Sequence, residues 1–322
     1  MIIGSHFAYH SGFDFPAGVT ANKLWKEFIN MGGGLGNGIF VMLSGYFLIN
    51  SDGLKFRKAL NLWARIFFWS ALLYGLFVLS GIRALAFKDA LKALLPVTRS
   101  LWWFASTYFM LYLIHPYLNR LLHGFTQEEY KHFLKTAVLG WCVISTMTHP
   151  EFSGANHIAD FVCVYSVAGY IRLYAGNLGG KKFLLYALGF IGLNFMSAVI
   201  INVISMRIPV VDNAVRHMFA MMRPFTLLAV SSLVIFFRNL NIPDSKVINT
   251  IASASFGVYL IHDSRLVRPL IWKKLFHVAS YQDSPYLIPY SLAVILAVYI
   301  SCTVIDLVRS KIFRTLSRGY LS

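Results

Sequence analysis

The feature that most constrains the fold of this chain is a series of nine apolar segments, most of them close to the thickness of a bilayer. A helix needs about 20 mostly apolar residues to cross the hydrocarbon core. Hydrophobic residues run continuously within each segment, whereas the strands of an outer-membrane barrel alternate apolar and polar residues. The pattern predicts an all-α, polytopic transmembrane helical bundle of about ten helices. The predicted spans lie near residues 34–50, 62–81, 102–122, 134–148, 158–175, 183–205, 218–237, 248–262 and 287–308.

The composition excludes an ordinary soluble protein. Charged residues make up 13% of the chain, against roughly 25% in a typical soluble domain, and the mean hydropathy is +0.61. The connectors between apolar segments are too short to bury a core of their own. We therefore predict a single membrane-embedded domain over residues 1–322, with no secretory signal peptide at its start.

The remaining charge is strongly basic, with 29 Lys and Arg against 13 Asp and Glu and a net charge of +16. These basic residues are spread through the connectors and are not gathered on one face, so they predict contact with anionic lipid and an anionic cofactor, not nucleic acid. If the chain starts in the cytoplasm, slightly more than half of the Lys and Arg residues lie on the cytoplasmic side. The positive-inside rule therefore favours that orientation, in which the tail after Val308 is cytoplasmic.

The first candidate site is His6, with His10 four residues later on the same helical face. Such a pair can bind a metal, but this segment offers no third ligand before Asp14, and no metal site is predicted. A neutral histidine inside a membrane suits a general base; the alternative is a hydrogen bond within the bundle. The apolar stretch ending near Tyr9 is less than half a span. Either the first helix is re-entrant or half-length, or its beginning lies upstream of Met1; we favour the second and predict a truncated first helix.

The second candidate is the basic segment between the second and third predicted spans. Arg57 and Arg65 are eight residues apart, roughly on one helical face, and Lys58 follows Arg57. Arginine side chains bind phosphates through paired hydrogen bonds. Two interpretations are open. Positive charge of this kind commonly retains a cytoplasmic loop and contacts anionic lipid, and the same residues would also suit a phosphorylated donor such as a coenzyme A thioester.

The third candidate is the segment SFGVYLIH at 255–262. Ser255 and Tyr259 lie one helical turn apart, and His262 is three residues further on. A polar stripe in an apolar helix is expected to face the bundle interior. In the favoured orientation His262 and His6 both lie near external helix ends, so their rings are predicted to meet at one level.

Three other features favour structural roles. The glycine run 32–38 matches no nucleotide-binding loop and predicts close helix packing or a bend. Trp102 and Trp103 are predicted to form part of an interfacial aromatic belt. Cys142, Cys163 and Cys302 all lie in apolar segments without metal-binding spacing and are predicted to be packed thiols.

Taken in order, these segments resemble the acyltransferase 3 family of bacterial membrane O-acyltransferases. The resemblance rests on several short stretches that together cover nearly the whole chain. The family also has an arginine about ten residues before the histidine that aligns with His6, and that position would fall before Met1. The matching stretches are the segment ending in His6, GIFVMLSGYFL (38–48), the basic segment from Phe56 to Arg65, LWWFASTYFMLYLIHPYL (101–118), VAGYIRL (167–173) and SFGVYLIH (255–262).

The resemblance implies transfer of an acyl group, usually acetyl, from cytoplasmic acyl-CoA to a hydroxyl of a cell-surface or exopolysaccharide sugar in the bacterial plasma membrane. His6 would act as the base that deprotonates the hydroxyl or would pass the acyl group on, with Ser255, Tyr259 and His262 completing the site. The basic residues Arg57, Lys58 and Arg65 would hold acetyl-CoA as a co-substrate, with no permanently bound cofactor. The partners implied are acyl-CoA, a glycan or lipid-linked sugar, and the bilayer.

A second function class is transport, as a flippase or carrier of a lipid-linked oligosaccharide. Histidines inside a many-helix bundle would suit a carrier. The chain lacks the paired Gly- or Pro-broken spans in two matching halves that indicate a carrier site. Membrane polysaccharide polymerases, a third class, usually carry a larger external loop than any connector here, so acyl transfer is the favoured prediction.

Overall fold

The computed structural model describes residues 1–15, 18–147, 157–176, 178–208, 215 and 218–319, with side chains up to Thr315. All regular elements within these residues are helical, which confirms the predicted fold class. The helix Gln127–Val138 continues through a π-helical turn, Leu139–Ile144. The main helices are α1 (Ile2–His10), α2 (Ala21–Leu48), α3 (Phe56–Leu79), α4 (Phe87–Leu94), α5 (Trp103–His123), α6 (Gln127–Val138), α7 (His157–Tyr174), α8 (Lys182–Ser205), α9 (Pro224–Arg238), α10 (Lys246–His262) and α11 (Leu287–Gly319).

Each of the nine predicted spans coincides with a helix, but the predicted boundaries were less accurate. The start of α2 was wrong by more than three turns, because its first residues include the charged side chains Lys23, Lys26 and Glu27 and do not read as a span. Those three residues are buried. Thr20 caps this end, its hydroxyl accepting from the backbone N–H of Lys23 at 3.2 Å.

Three of the described helices are long and apolar enough to cross a bilayer on those grounds alone. They are α3 with 24 residues and a hydropathy of 1.7, α8 with 24 residues and 2.1, and α11 with 29 described residues and 2.3. The other predicted spans are shorter or carry more polar groups. Polar groups in such helices are expected to face the bundle interior.

Two apolar cores divide the bundle, and Tyr259 packs against both of them. The larger core joins α2, α5, α7, α8 and α9. The other joins α1, α3, α10, α11 and the chain after α10. Tyr259 therefore lies on the boundary between two packed units, in the middle of the molecule.

The glycine run in α2 allows the close packing predicted for it. A Cβ at Gly34 would overlap the backbone carbonyl of Phe219, and a Cβ at Gly32 would lie 3.0 Å from the backbone of Met1. A side chain at either position would push neighbouring backbone away. Close approach at these glycines thus holds α1 and the chain before α9 against α2.

The segment between α3 and α5 contains an element that was not predicted, the eight-residue amphipathic helix α4. Its length is below that of a span, so hydropathy alone does not reveal it. The belt prediction was wrong for Trp102, which is 3% exposed and belongs to the second core. Trp103 is partly buried and its ring lies 4.5 Å from that of His157.

Candidate active site

Two of the predicted site residues, His6 of α1 and His262 of α10, are in direct contact. Nδ1 of His6 lies 2.9 Å from Nε2 of His262, although 256 positions separate them in sequence. His262 is 1% exposed and the His6 side chain 17% exposed. Packing of α1 against α2, α10 and α11 places His6 here. The prediction that the two rings meet at one level is confirmed.

The hydrogen bonds of this pair assign its tautomers. Nδ1 of His262 lies 2.6 Å from the carbonyl oxygen of Val258, which can only accept, so this nitrogen carries the proton. In a neutral ring, Nε2 of His262 is then an acceptor and Nδ1 of His6 is the donor. Nε2 of His6 then carries the lone pair, and no hydrogen bond to it comes from the described residues. A neutral histidine in this tautomer can accept a proton from a substrate hydroxyl.

Asp263, which directly follows His262 and ends α10, is a site residue that the sequence analysis missed. It is 1% exposed, and its Oδ1 lies 3.2 Å from Nδ1 of His6 and 3.3 Å from Nε2 of His10. Arg268 binds the same oxygen at 2.7 Å. An acidic residue next to an intramembrane histidine was the available signal.

The Asp263 carboxylate reinforces the tautomer assigned to His6. An acceptor beside Nδ1 requires a proton on that nitrogen, as in catalytic triads where a buried carboxylate orients a histidine base. The negative charge also stabilises the imidazolium that forms when Nε2 accepts a proton. His6, His262 and Asp263 therefore form a connected, buried proton-accepting unit.

The same cluster supplies the third metal ligand that the sequence analysis found lacking near His6. One ligand atom each from His6, His10 and Asp263 lie within 4.8 Å of one another, a spacing that a metal ion could occupy. However, the guanidinium of Arg268 already binds Asp263, and a second cation at that oxygen would be repelled by it. We therefore interpret the cluster as an ion-paired base.

Ser255, Tyr259 and His262 share one cavity of about 480 Å³, called here the histidine cavity. It lies between α1, α2, α10 and α11, and its walls are largely apolar. The Tyr259 hydroxyl is buried and makes no standard hydrogen bond with a described residue. His6 does not itself line the cavity, but its ring lies 5.0 Å from that of His262 and 6.3 Å from that of Tyr259, and both of those residues do.

Arg65 of α3 is held by a buried carboxylate on α11. Its Nη2 lies 2.5 Å from Oδ2 of Asp306, which is 1% exposed, and donates to the carbonyl of Ser253 at 3.1 Å. Trp69 and Arg309 also bind Asp306, at 3.2 and 2.8 Å. This network joins α3, α10 and α11.

Arg65 and Arg309 line a second cavity of about 500 Å³, called here the arginine cavity. Its walls include Phe40 and Phe256, which also line the histidine cavity. The two cavities therefore adjoin each other at these two side chains. Along α10, Ser253 marks the arginine end and His262 the histidine end, about 14 Å apart at 1.5 Å per residue.

The structure separates the other two predicted basic residues from this cavity. Arg57 and Lys58 are exposed in the first turn of α3 and do not line it. They lie on the same helix as Arg65, about two turns before it. Any contact they make with a ligand of the arginine cavity would be with its outer, solvent-facing part.

Comparison with known families decides the class of this protein. A family model described as an acyltransferase domain matches residues 1–306. The chain belongs to the acyltransferase 3 family. The family that the sequence resembled is thereby confirmed, and the protein is a membrane acyltransferase. Neither the curated proteins nor the solved structures contain a significant match to it.

The structure of this acyltransferase brings together most of the predicted site residues, but not all of them. Ser255, Tyr259 and His262 line one cavity, and Arg65 lines the adjoining one. His6 lies behind the first cavity, in contact with His262. The residues that the sequence analysis missed are carboxylates or bind them: Asp263 and Arg268 at one end, Asp306 and Arg309 at the other.

Proposed function

We propose that this acyltransferase moves an acyl group, usually acetyl in its family, from cytoplasmic acyl-CoA to a hydroxyl of a cell-surface or exopolysaccharide sugar. It would do so as a multi-pass protein of the bacterial plasma membrane. The observation that carries the proposal is the adjacency of the arginine and histidine cavities. Positive charge at one end suits a phosphorylated donor, and a paired histidine base at the other suits the attacking hydroxyl.

Donor binding begins at the arginine cavity. Arg65 and Arg309 outnumber Asp306, so one positive charge remains for the phosphates of coenzyme A. Arg57 and Lys58, exposed beyond the cavity, would contact the nucleotide end. The pantetheine arm would extend past Phe40 and Phe256, placing the thioester in the histidine cavity. The distance of about 14 Å along α10 is of the order that such an extended arm covers.

The chemical step would then proceed with His6 as the general base. Nε2 of His6 takes the proton of the sugar hydroxyl, and the sugar oxygen attacks the thioester carbonyl carbon. Tyr259 and Ser255 donate to the oxyanion that develops. The C–S bond breaks as the C–O ester forms, and the proton on His6 passes to the leaving thiolate. Asp263 stabilises the transient imidazolium throughout.

The test is incorporation of label from radiolabelled acetyl-CoA into glycan, using membranes from a host that expresses the protein and from one that does not. Expression-dependent label in the glycan, released by mild base as expected for an ester, is the predicted result. Movement of a lipid-linked sugar across the membrane without consumption of acetyl-CoA would contradict the proposal and support the flippase alternative.

A further inference from the structure

A third cavity, of about 160 Å³, lies just beyond the end of α10 and is called here the outer cavity. It is enclosed by the second half of α3, by α4 and by the chain that follows Asp263. Ser264 and Arg265 are among its walls, so it begins within two residues of the histidine cluster. The Arg65 contact with Ser253 lies further towards the N-terminal ends of α3 and α10.

Two buried polar groups of the outer cavity have no hydrogen-bond partner among the described residues. They are the indole N–H of Trp102 and the hydroxyl of Ser70, on residues that are 3% and 4% exposed. A buried donor without a partner costs free energy unless a ligand or water satisfies it. Their presence in the wall of one cavity indicates a place for a polar molecule.

The rim of the outer cavity carries an excess of positive charge. Asp89 of α4 binds Arg83 at 2.7 Å and Lys92 at 3.2 Å. Hydrogen bonds from Arg83 and Lys92 keep the pKa of the Asp89 carboxyl below its usual 3.8, so it stays ionised. Arg265 adds a third cation. Three cations against one carboxylate leave a net positive rim that attracts an anionic ligand.

The segment from Ser253 to Arg265 passes the three cavities in order. Ser253 contacts Arg65, Phe256 lines both inner cavities, His262 lines the histidine cavity, and Arg265 lines the outer cavity. A group bound in the outer cavity would therefore reach the histidine cluster from the side opposite to the donor. That is the position an acceptor hydroxyl requires.

We propose that the outer cavity binds one acceptor sugar ring that carries an anionic group, a carboxylate or a phosphate. This inference rests on the proposed acyl transfer and adds the class of acceptor. The volume is well below the roughly 300 Å³ at which pockets for larger ligands begin, so it suits a single ring. Trp102 and Ser70 would donate to ring hydroxyls, and Arg83, Lys92 and Arg265 would hold the anionic group.

The test is saturation-transfer NMR on the full-length protein in detergent, without acyl-CoA, using four probes. They are methyl glucuronide, glucose 1-phosphate, neutral methyl glucoside and glycerol 1-phosphate. We expect transfer to the two anionic sugars and weak transfer to the other two. Equal transfer to the neutral glucoside would overturn the charge assignment. Equal transfer to glycerol 1-phosphate would overturn the sugar assignment and support a lipid-headgroup site.

Variants locate the binding. Lys92→Gln and Trp102→Phe are each expected to weaken anionic-sugar binding about tenfold, as for loss of a hydrogen bond to a charged or buried group. Lys88→Gln removes the same charge from an exposed position on α4 that does not line the cavity, and should leave binding unchanged. Unchanged binding in both Lys92→Gln and Trp102→Phe, with the fold intact by thermal melting, would overturn the proposal.

The sugar-binding measurement needs no acyl transfer, so its failure is distinct from failure of the proposed function. If the protein does not bind the anionic sugars but still labels glycan from acetyl-CoA, only the proposed role of the outer cavity is overturned. If the protein binds the anionic sugars but consumes no acetyl-CoA, the proposed reaction is overturned and the proposed sugar site is supported.

Discussion

Oδ1 of Asp263 lies 3.2 Å from Nδ1 of His6, which connects a buried carboxylate at the end of α10 to the base proposed on α1. The two residues are far apart in the sequence. The contact determines which nitrogen of His6 carries the proton, and therefore which nitrogen can accept one. The first prediction concerns this contact.

Asp263→Asn is expected to lower kcat for acyl transfer by roughly 10²- to 10⁴-fold, because the amide keeps the shape but removes the charge that orients and stabilises the histidine base. KM for acetyl-CoA should change little, since Asp263 is remote from the arginine cavity. Steady-state kinetics of acyl transfer measure both quantities. A variant that melts normally and retains full kcat would show that the carboxylate only holds Arg268.

Gly257→Ala should disrupt the arginine end of the site. A Cβ at this position would overlap the Asp306 carboxylate, so Asp306 must move from Arg65 and Trp69. We expect a destabilisation of about 1–3 kcal/mol, typical of overpacking, and a raised KM for acetyl-CoA. Gly189→Ala on α8 meets no atom within 4 Å and is the matched control. Equal melting temperatures for the two variants would contradict the predicted clash.

Arg65→Lys tests whether donor binding needs the planar shape of the arginine side chain or only its positive charge. Lysine keeps the positive charge but cannot bind Asp306, Ser253 and a phosphate with one planar group. We expect KM for acetyl-CoA to rise about tenfold, as for loss of one charged hydrogen bond, with kcat nearly unchanged. Arg57→Lys, at an exposed position, should have a smaller effect. A fall in kcat alone would place Arg65 outside donor binding.

The charge cluster on α4 has a pH dependence that follows from its hydrogen bonds. Arg83 and Lys92 lower the pKa of Asp89 from 3.8, so their stabilising effect is complete above that value and is lost as pH falls through the lowered pKa. NMR titration of the Asp89 carboxyl should give a pKa below 3.8, returning towards it in Arg83→Gln. An unchanged value in Arg83→Gln would contradict the assigned cause.

Those parts of the site that depend on helical spacing could be predicted from the sequence. Ser255, Tyr259 and His262 share a cavity wall because they lie one turn apart on a single helix. Asp263 was missed because its role comes from a contact with α1, which no local periodicity encodes. Asp306 was missed for the same reason: its partner Arg65 is 241 positions away.

The basic segment shows the opposite error. Arg57, Lys58 and Arg65 were grouped because they are close in sequence and carry like charge. In the structure Arg65 is distinguished by Asp306, which holds it at the cavity, whereas Arg57 and Lys58 are exposed. The spacing of these charges along α3 could not show which of them lines the cavity. That depends on Asp306, which lies on another helix, α11.

The central claim, that His6 is the base for acyl transfer, is tested most directly by the rate of acetyl transfer in His6→Ala. His132→Ala, which removes an exposed histidine on α6, is the control. We predict a loss of roughly 10²- to 10⁴-fold in kcat, the usual contribution of a general base, with acetyl-CoA binding retained. A His6→Ala protein that transfers acetyl groups as fast as the His132→Ala control would contradict the account.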